Sequence, residues 1–165
     1  MKKLISLLLT LCLALGMTTL AVAEGKPANE VKIGYICIGD ENEGYTENHI
    51  KGLRYAQEVW GIADSQIIYK YNTPETEAAY EAAVDLAEQG CDIIFANSFG
   101  QETYVFLAAE EYPEIQFCHA TGTNAMGSEL DNVHNYFTAI YEGRYVAGVV
   151  AGMKLNQMIE EGNHR

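Results

Sequence analysis

The sequence predicts an α/β fold with a mainly parallel five-stranded sheet and helices on both faces. Short β-rich runs alternate with amphipathic segments of helical period, and each run ends at polar or small residues typical of loops. Parallel neighbours need right-handed crossovers, so the intervening helices must lie on the faces of the sheet. With 48% hydrophobic and 20% charged residues, the chain has the composition of a globular domain.

The five predicted strands share β-branched or aromatic residues and are followed by loop-forming residues. They are Val31 to Ile38, Gln66 to Tyr71, Cys91 to Ala96, Ile115 to Ala120 and Val133 to Thr138. Ligands of parallel α/β sheets bind at the carboxyl ends of the strands. The loops after these strands are therefore where we expect function.

Apolar residues spaced three or four apart predict the helices. They are Thr46 to Trp60, Glu75 to Gln89, Gln101 to Glu111 and a last helix that begins near Tyr141. Gly61 and Gly90 follow the first two helices, Thr73 with Pro74 should cap the second, and Pro113 should stop the third.

The last helix contains an apolar segment, Tyr145 to Leu155, that is shorter than a membrane span. We expect a buried helix, because Gly143, Ala147 and Ala151 recur every four residues and allow close packing on the sheet.

Residues 1–23 have the features of a secretory leader. A basic start precedes an apolar stretch, Leu4 to Leu15, and Ala21-Val22-Ala23 supplies a small-x-small cleavage pattern. Cys12 lies inside the apolar stretch, so cleavage without lipidation is expected. Residues 24–30 would form a linker and residues 31–165 a single lobe, exported from the cytoplasm.

The predicted mature chain is strongly acidic. The full chain has a net charge of −13; removing the leader with its two lysines leaves 8 basic and 23 acidic residues, a net charge of −15. Such a surface repels phosphate backbones, which disfavours nucleic-acid binding.

The cysteines and histidines show no metal or redox pattern. Cys37, Cys91 and Cys118 remain after cleavage without a C-x-x-C pair, and we interpret them as small buried side chains, with one disulfide as the alternative. H-E-x-x-H, G-x-G-x-x-G and phosphate-loop motifs are absent from the sequence. No cofactor or metal is predicted.

Two loops carry the candidate site. After the first strand, several acidic residues surround the start of a helix, so phosphate binding is disfavoured there. Tyr45 in the same loop offers a stacking face for a flat ligand. After the third strand, Ser98, Phe99 and Gly100 combine a hydroxyl group, an aromatic ring and a helix start. The alternatives are an ordinary exposed tyrosine, and a helix cap by Ser98 with Phe99 in the core. Without a G-x-S-x-G elbow, Ser98 is not predicted to be a nucleophile, and no enzymatic activity is expected.

Five runs of the sequence resemble the basic membrane protein family, the substrate-binding proteins of ABC transporters that include purine nucleoside receptors. The runs are Lys32-Ile-Gly-Tyr-Ile36, Gly44-Tyr-Thr-Glu-Asn-His-Ile-Lys-Gly52, Asp92-Ile-Ile-Phe-Ala-Asn-Ser-Phe-Gly100, Phe117-Cys-His-Ala-Thr-Gly122 and Tyr141-Glu-Gly-Arg-Tyr-Val-Ala-Gly148. The resemblance implies a periplasmic-binding-protein type I fold of two Rossmann-like lobes. It also implies a purine nucleoside or nucleobase as ligand, and an ABC permease with its ATPase subunit as partners.

By this resemblance, seven residues are expected to line the ligand cleft. They are Tyr45, Thr46, Ser98, Phe99, Gly100, His119 and Tyr141. The family often has tryptophan where Tyr45 stands, and threonine or another small residue where Asn97 stands. We expect the rings of Tyr45 and Phe99 to face a common hollow that holds a planar, uncharged molecule.

Only the amino-terminal lobe of such a protein is expected here, either as a fragment of it or as a split-gene half whose partner is a separately encoded second lobe. One wall alone leaves a ligand half hydrated, so weak binding is expected. Two alternatives stay open, since fold alone does not determine function. They are an exported single-domain α/β enzyme acting on nucleosides, of flavodoxin-like or hydrolase type, and a sensory surface module.

Overall fold

The computed structural model describes residues 25–163, so the predicted leader lies outside the described residues. The strands are β1 (Ile33–Ile36), β2 (Ile67–Lys70), β3 (Ile93–Ala96), β4 (Gln116–Ala120) and β5 (Val133–Tyr136). The α-helices are α1 (Gly44–Trp60), α2 (Glu77–Glu88), α3 (Glu102–Glu111) and α4 (Ile140–Glu160). The strand order is β2-β1-β3-β4-β5 with every pair parallel, which confirms the predicted α/β sheet. Within residues 25–163, no helix is both long and apolar enough to cross a membrane.

One side of the sheet, here the packed face, is covered by α2 and α3. Ile36, Ile94 and Phe117 point to this side, and each is fully buried or nearly so. Leu86 from α2 and Val105 from α3 join the same cluster. Most of the core therefore lies between these two helices and the sheet.

The other side carries α1, whose Leu53 packs with Ile33 and Tyr35 of β1. Beyond α1, the strand register places an uncharged set of side chains on this side of β3, β4 and β5. We call this set the open face: Ile93, Phe95, Gln116, Cys118, His134 and Tyr136. All are half-buried except the exposed His134, whereas their neighbours on the packed face are mostly buried. The sheet is thus covered unevenly.

The helix ends follow the sequence at three places and depart from it at one. Gly61 and Gly90 adopt the left-handed conformation, with φ of 67° and 80°, where α1 and α2 end. α3 ends two residues before Pro113. The expected cap at Thr73 is wrong: the Thr76 side chain caps α2, whereas the Thr73 hydroxyl donates to the Lys70 carbonyl and its amide to the Cys37 carbonyl at the end of the sheet.

The expectation that the last helix is buried is also wrong. None of the α4 residues is buried, and Val146, Val149 and Val150 are between 45% and 60% exposed. The spacing of its small residues permits close packing, but no described segment lies where it would cover the helix.

The start of the described chain is fastened at the amino edge of the sheet. Lys26 Nζ lies 2.7 and 2.8 Å from the two carboxylate oxygens of Asp92, just before β3. Gln66 Nε2 donates to the Ala28 and Val31 carbonyls. The chain therefore enters the fold at the edge opposite the carboxyl ends of the strands.

Candidate functional site

The first loop ends in a helix start that is already occupied by a carboxylate. Glu43 Oε1 accepts from the Tyr45 amide and Oε2 from the Thr46 amide, both at 2.7 Å. These backbone hydrogen bonds hold the pKa of Glu43 below its ordinary value. An anionic ligand would have to displace this carboxylate, which agrees with the predicted exclusion of phosphate.

Tyr45 stands at the carboxyl edge with its ring fixed at both ends. Its hydroxyl donates to the Asn97 carbonyl at 2.5 Å, and the His49 ring meets it edge-on with centroids 4.7 Å apart. The residue is 40% exposed. The ring is held in place without a ligand, while part of it remains accessible for stacking.

Thr46 lies behind Tyr45 and is fully buried. Its Oγ1 accepts from the Gly39 amide and from Asn97 Nδ2, each at 3.3 Å. Asn97 is also fully buried, and its Oδ1 accepts from the Ile38 amide at 2.9 Å. The expectation that Thr46 contacts the ligand is therefore corrected. Thr46 instead joins the first and third loops from below, and so does Asn97, which stands where the family usually has a small residue.

The third loop is held by a carboxylate that sequence analysis missed. Glu75 Oε1 accepts from Ser98 Oγ at 2.6 Å and from the Gly100 amide at 2.7 Å. The Ser98 hydroxyl and the Gly100 amide lower the pKa of Glu75. A Cβ at Gly100 would lie 2.7 Å from the Glu75 carboxyl carbon, so glycine is needed for this approach. No local signal pairs Glu75 with a loop 23 residues away.

Phe99 is 68% exposed on the short 3-10 turn before α3, which rules out the core alternative. Phe99 does not line the cavity that Tyr45 lines, so the two rings do not face a common hollow as expected. Tyr45 belongs to α1, which lies on the opposite side of the sheet from α2 and α3. Phe99 instead precedes a helix of the packed face.

His119 is fully buried, so the expected direct ligand contact is corrected. Its Nε2 donates to the Ser98 carbonyl at 2.7 Å, while Nδ1 has no hydrogen-bond partner and lies 3.9 Å from Glu102 Oε1. Burial lowers the pKa of His119, which favours the neutral ring. Its position supports the third loop from below.

Glu102, at the start of α3, is a second buried residue that sequence analysis missed. Its Oε1 accepts from the Asn124 amide at 2.9 Å and from Asn135 Nδ2 at 2.8 Å. A Cβ at Gly122 would overlap this carboxylate and the His119 ring. The loop after β4 is thus anchored through contacts between distant parts of the chain.

Tyr141 stands apart from the other candidates. It is 71% exposed near the start of α4 and does not line the cavity. The structure therefore brings Tyr45, Thr46, Ser98, Gly100 and His119 to one stretch of the carboxyl edge, and leaves Phe99 and Tyr141 projecting into solvent.

An aromatic cavity of about 510 Å³ lies between α1, the open face and the start of α4. It is lined by Tyr35, Tyr45, Asn48, His49, Gly52, Leu53, Ala56, Phe95, Tyr136, Thr138 and Ile140. The Tyr35 hydroxyl lies 3.0 Å from His49 Nδ1 and 3.4 Å from the Tyr136 hydroxyl. Side chains alternate between the two faces along a strand, and this alternation in the sequence could have placed Tyr35 and Tyr136 on the α1 side of the sheet.

The cavity is uncharged at neutral pH. Burial raises the pKa of Tyr136 to about 12 and raises that of Tyr35 as well. Burial also lowers the pKa of His49. Neutral walls that combine four Tyr and Phe rings with aliphatic residues and a few hydroxyl, amide and imidazole groups suit a flat, uncharged ligand.

Burial disfavours thiolate chemistry in this chain. It raises the pKa of Cys37 to about 12 and that of Cys118 to about 11, and all three described cysteines are free. Cys37 and Cys91 are buried, as predicted, whereas Cys118 is half-buried. Between residues 25 and 163, no group of three histidine, cysteine or acidic side chains is placed to hold a metal ion.

The all-parallel sheet with helices on both sides is the architecture of a periplasmic-binding-protein lobe. Residues 33–163 match the family model described as ABC transporter substrate-binding protein PnrA-like. The chain belongs to this family of substrate-binding proteins, which confirms the resemblance seen in the sequence.

Two curated relatives carry different ligand names. The chain is 32% identical over 123 residues to a purine-binding protein of Brucella abortus, covering 74% of this chain and 34% of that protein. It is 28% identical over 131 residues to an ABC transporter glucose-binding protein of Haloferax volcanii, covering 79% of this chain and 31% of that protein. The chain thus spans about a third of the length of these relatives.

Solved structures agree on the fold. An ABC transporter solute-binding protein from Conexibacter woesei aligns with a TM-score of 0.55 at 16% identity, covering 65% of this chain and 35% of that one. A transcription regulator from Staphylococcus saprophyticus also gives a TM-score of 0.55 at 16% identity, covering 81% of this chain and 51% of that one. At this identity the likeness concerns the fold alone.

Proposed function

We propose that the chain supplies one wall of the ligand site in the extracytoplasmic binding component of an ABC importer for purine nucleosides or nucleobases. The proposal rests mainly on the family match over residues 33–163 together with the fixed ring of Tyr45 beside an uncharged cavity. The partners would be the permease, its ATPase subunit and a second lobe.

Within this proposal, the site residues divide by exposure. Tyr45 stacks on the ligand, and Ser98 and Gly100 contact it from the neighbouring loop of the same carboxyl edge. Phe99 faces solvent and does not line the cavity, so it is left out of the proposed contacts. The buried Thr46 and His119 hold these loops in position. Tyr141 contacts the ligand only if the start of α4 moves toward the edge when the second wall arrives.

The character of the cavity favours a purine over a sugar. A sugar presents a hydroxyl group at almost every carbon and needs many polar partners, whereas the cavity walls consist mainly of aromatic and aliphatic side chains. A purine needs a stacking face and a few hydrogen-bonding groups, which Tyr45, Tyr35 and His49 supply. Sugar binding is the second candidate, because one relative is named as glucose-binding.

A single wall should bind weakly. Affinity in a two-lobed binding protein comes from desolvating the ligand on both sides, so this chain alone should reach no better than about millimolar affinity, roughly −4 kcal/mol. Adenosine and guanosine should give no strong isothermal titration signal. Submicromolar affinity in a monomer would contradict the single-wall proposal.

The test measures amide chemical shifts by NMR while adenosine, hypoxanthine or glucose is added. Adenosine or hypoxanthine should shift residues near Tyr45, and Tyr45→Ala should abolish the shifts while the exposed control Tyr55→Ala retains them. Shifts with glucose alone would favour the sugar candidate. Release of free base from adenosine, sensitive to Ser98→Ala, would favour the enzyme instead.

A further inference from the structure

Glu75 is an acidic side chain at the carboxyl edge whose two carboxylate oxygens have different surroundings. Its Oε1 accepts from the Ser98 hydroxyl at 2.6 Å and from the Gly100 amide at 2.7 Å. Within residues 25–163, its Oε2 accepts no hydrogen bond, and the residue is exposed. One oxygen therefore holds the third loop, whereas the other is free to contact a ligand.

The bond to Glu75 sets the direction of the Ser98 hydroxyl. A carboxylate can only accept, so the hydroxyl hydrogen must lie toward Glu75, and the Ser98 oxygen presents its lone pairs to other groups. The Ser98 amide is also occupied, since it donates to Gln101 Oε1 at 3.1 Å. Toward a ligand, Ser98 is therefore an acceptor of hydrogen bonds and not a donor.

The first loop has the same arrangement. The Glu43 carboxylate accepts from the Tyr45 and Thr46 amides, each at 2.7 Å. Free backbone amides at a helix start ordinarily attract anions. Each of the two loops instead has its own carboxylate across its donors, so acceptors and negative charge remain for a ligand at this edge.

We propose that Glu75 determines ligand specificity: it requires the ligand to bring a hydrogen-bond donor to the third loop, and it excludes ligands that carry a phosphate there. This inference rests on the proposed function, because the donor belongs to the ligand that stacks on Tyr45. The Tyr45 hydroxyl donates to the carbonyl of Asn97, so the stacking ring lies next to Ser98 along the edge. In adenosine, the donor is either the amino group of the base or a ribose hydroxyl.

The selection follows from which groups would meet. A ligand carbonyl or phosphate oxygen would face the lone pairs of Ser98 and the charge of Glu75, so it would lose water without gaining a hydrogen bond. A phosphate would also be repelled by the carboxylate. A donor would instead form a charge-assisted hydrogen bond with Glu75 Oε2, roughly twice as strong as a neutral one.

The test compares adenosine with adenosine monophosphate in NMR titrations of the wild type and of Glu75→Gln, at constant ionic strength. Glutamine keeps the shape of the side chain and removes its charge. The preference for adenosine over the monophosphate should fall by about tenfold in this variant, because adenosine loses a charge-assisted bond and the phosphate loses a repulsive neighbour.

Glu77→Gln is the matched control. It removes the same charge two residues further along the chain, from the exposed first turn of α2. The preference for adenosine should be unchanged in this variant. Neither substitution should unfold the domain, because both side chains are exposed.

Two modified ligands identify the donor. Purine riboside lacks the amino group, and an adenine with a methyl group in place of the ribose lacks every ribose hydroxyl. The ligand that lacks the responsible donor should bind equally well to the wild type and to Glu75→Gln. The other ligand should still bind the variant less tightly.

A measurement without ligand tests the contact itself. The Gly100 amide resonance should shift as Glu75 is protonated, at a pH below the ordinary range of a glutamate, because the Ser98 hydroxyl and this amide lower the pKa of Glu75. The shift should be absent in Glu75→Gln and present in Glu77→Gln. A Gly100 amide that does not respond to this titration would overturn the inference whatever the ligand.

The ligand titrations separate the two proposals. Shifts near Tyr45 with an unchanged preference in Glu75→Gln would overturn the role of Glu75 and leave the proposed function standing. If both modified ligands lose as much affinity as adenosine does, neither group is the donor and the inference is wrong. If no ligand shifts residues near Tyr45, the proposed function fails and this inference fails with it.

Discussion

The two faces of the sheet, the packed face and the open face, are covered to different degrees by the rest of the chain. On the packed face, α2 and α3 bury Ile36, Ile94 and Phe117 completely. On the open face, Phe95 and Cys118 of the same strands are only half-buried. The packed face is therefore covered within the described residues, whereas the open face is covered only in part.

The largest expected difference concerns aromatic residues of the two faces. Phe117→Ala should lower the free energy of unfolding by about 3–5 kcal/mol, because it opens a cavity in a closed core. Phe95→Ala should cost less, about 1–3 kcal/mol, since Phe95 is only partly buried and lines an existing cavity. Urea denaturation of both variants measures this. Equal losses would mean that the open face is covered in solution.

Two glycines should give changes of opposite sign. A Cβ at Gly34 would lie 2.9 Å from Leu86 Cδ1 and 3.2 Å from Ile94 Cγ1. Gly34→Ala should therefore destabilise the packed face by about 1–3 kcal/mol. Gly52→Ala, in α1 beside the cavity with nothing within 4 Å, should stabilise the protein by about 0.5–1 kcal/mol. Thermal unfolding of the pair checks the signs.

The buried His119 of the packed face should make stability depend on pH. Because burial lowers its pKa in the folded state, the unfolded chain takes up a proton first as pH falls below about 6.5. Stability should therefore fall below that pH and level off below the folded pKa. His119→Gln should flatten this dependence. Denaturation from pH 7.5 to about 5 measures the slopes.

The smallest expected effect lies at the carboxyl edge, where the two faces meet. Tyr45→Phe keeps the ring but removes the hydrogen bond to the Asn97 carbonyl, so stability should fall by about 0.5–1.5 kcal/mol. Tyr55→Phe, on an exposed part of α1, is the control. An unchanged unfolding midpoint in both variants would mean that the Tyr45 ring is not held by this bond.

Local pattern was sufficient to predict the parallel sheet and the helices of the packed face. The periodicity that places Val105 and Leu86 inward is repeated along each segment and does not depend on distant residues. The same reasoning failed for α4, because whether an apolar helix is buried depends on what lies against it. The spacing of its residues cannot show that.

The site was predictable in outline only. Tyr45 and Ser98 follow strands, so their place at the carboxyl edge followed from topology. Glu75 and Glu102 organise that edge through contacts with residues more than 20 positions away, which leave no local signal. The burial of Thr46 and His119 likewise arises from three-dimensional packing rather than from residue type.

The ion pair of Lys26 with Asp92 bears on where anything that precedes the described chain would join the domain. It fastens the start of the described chain at the amino edge of the sheet, while Tyr45 and the third loop lie at the opposite edge. A tether preceding residue 25 would therefore join the domain at the amino edge of the sheet. The candidate site would then lie at the edge of the sheet opposite the attachment point.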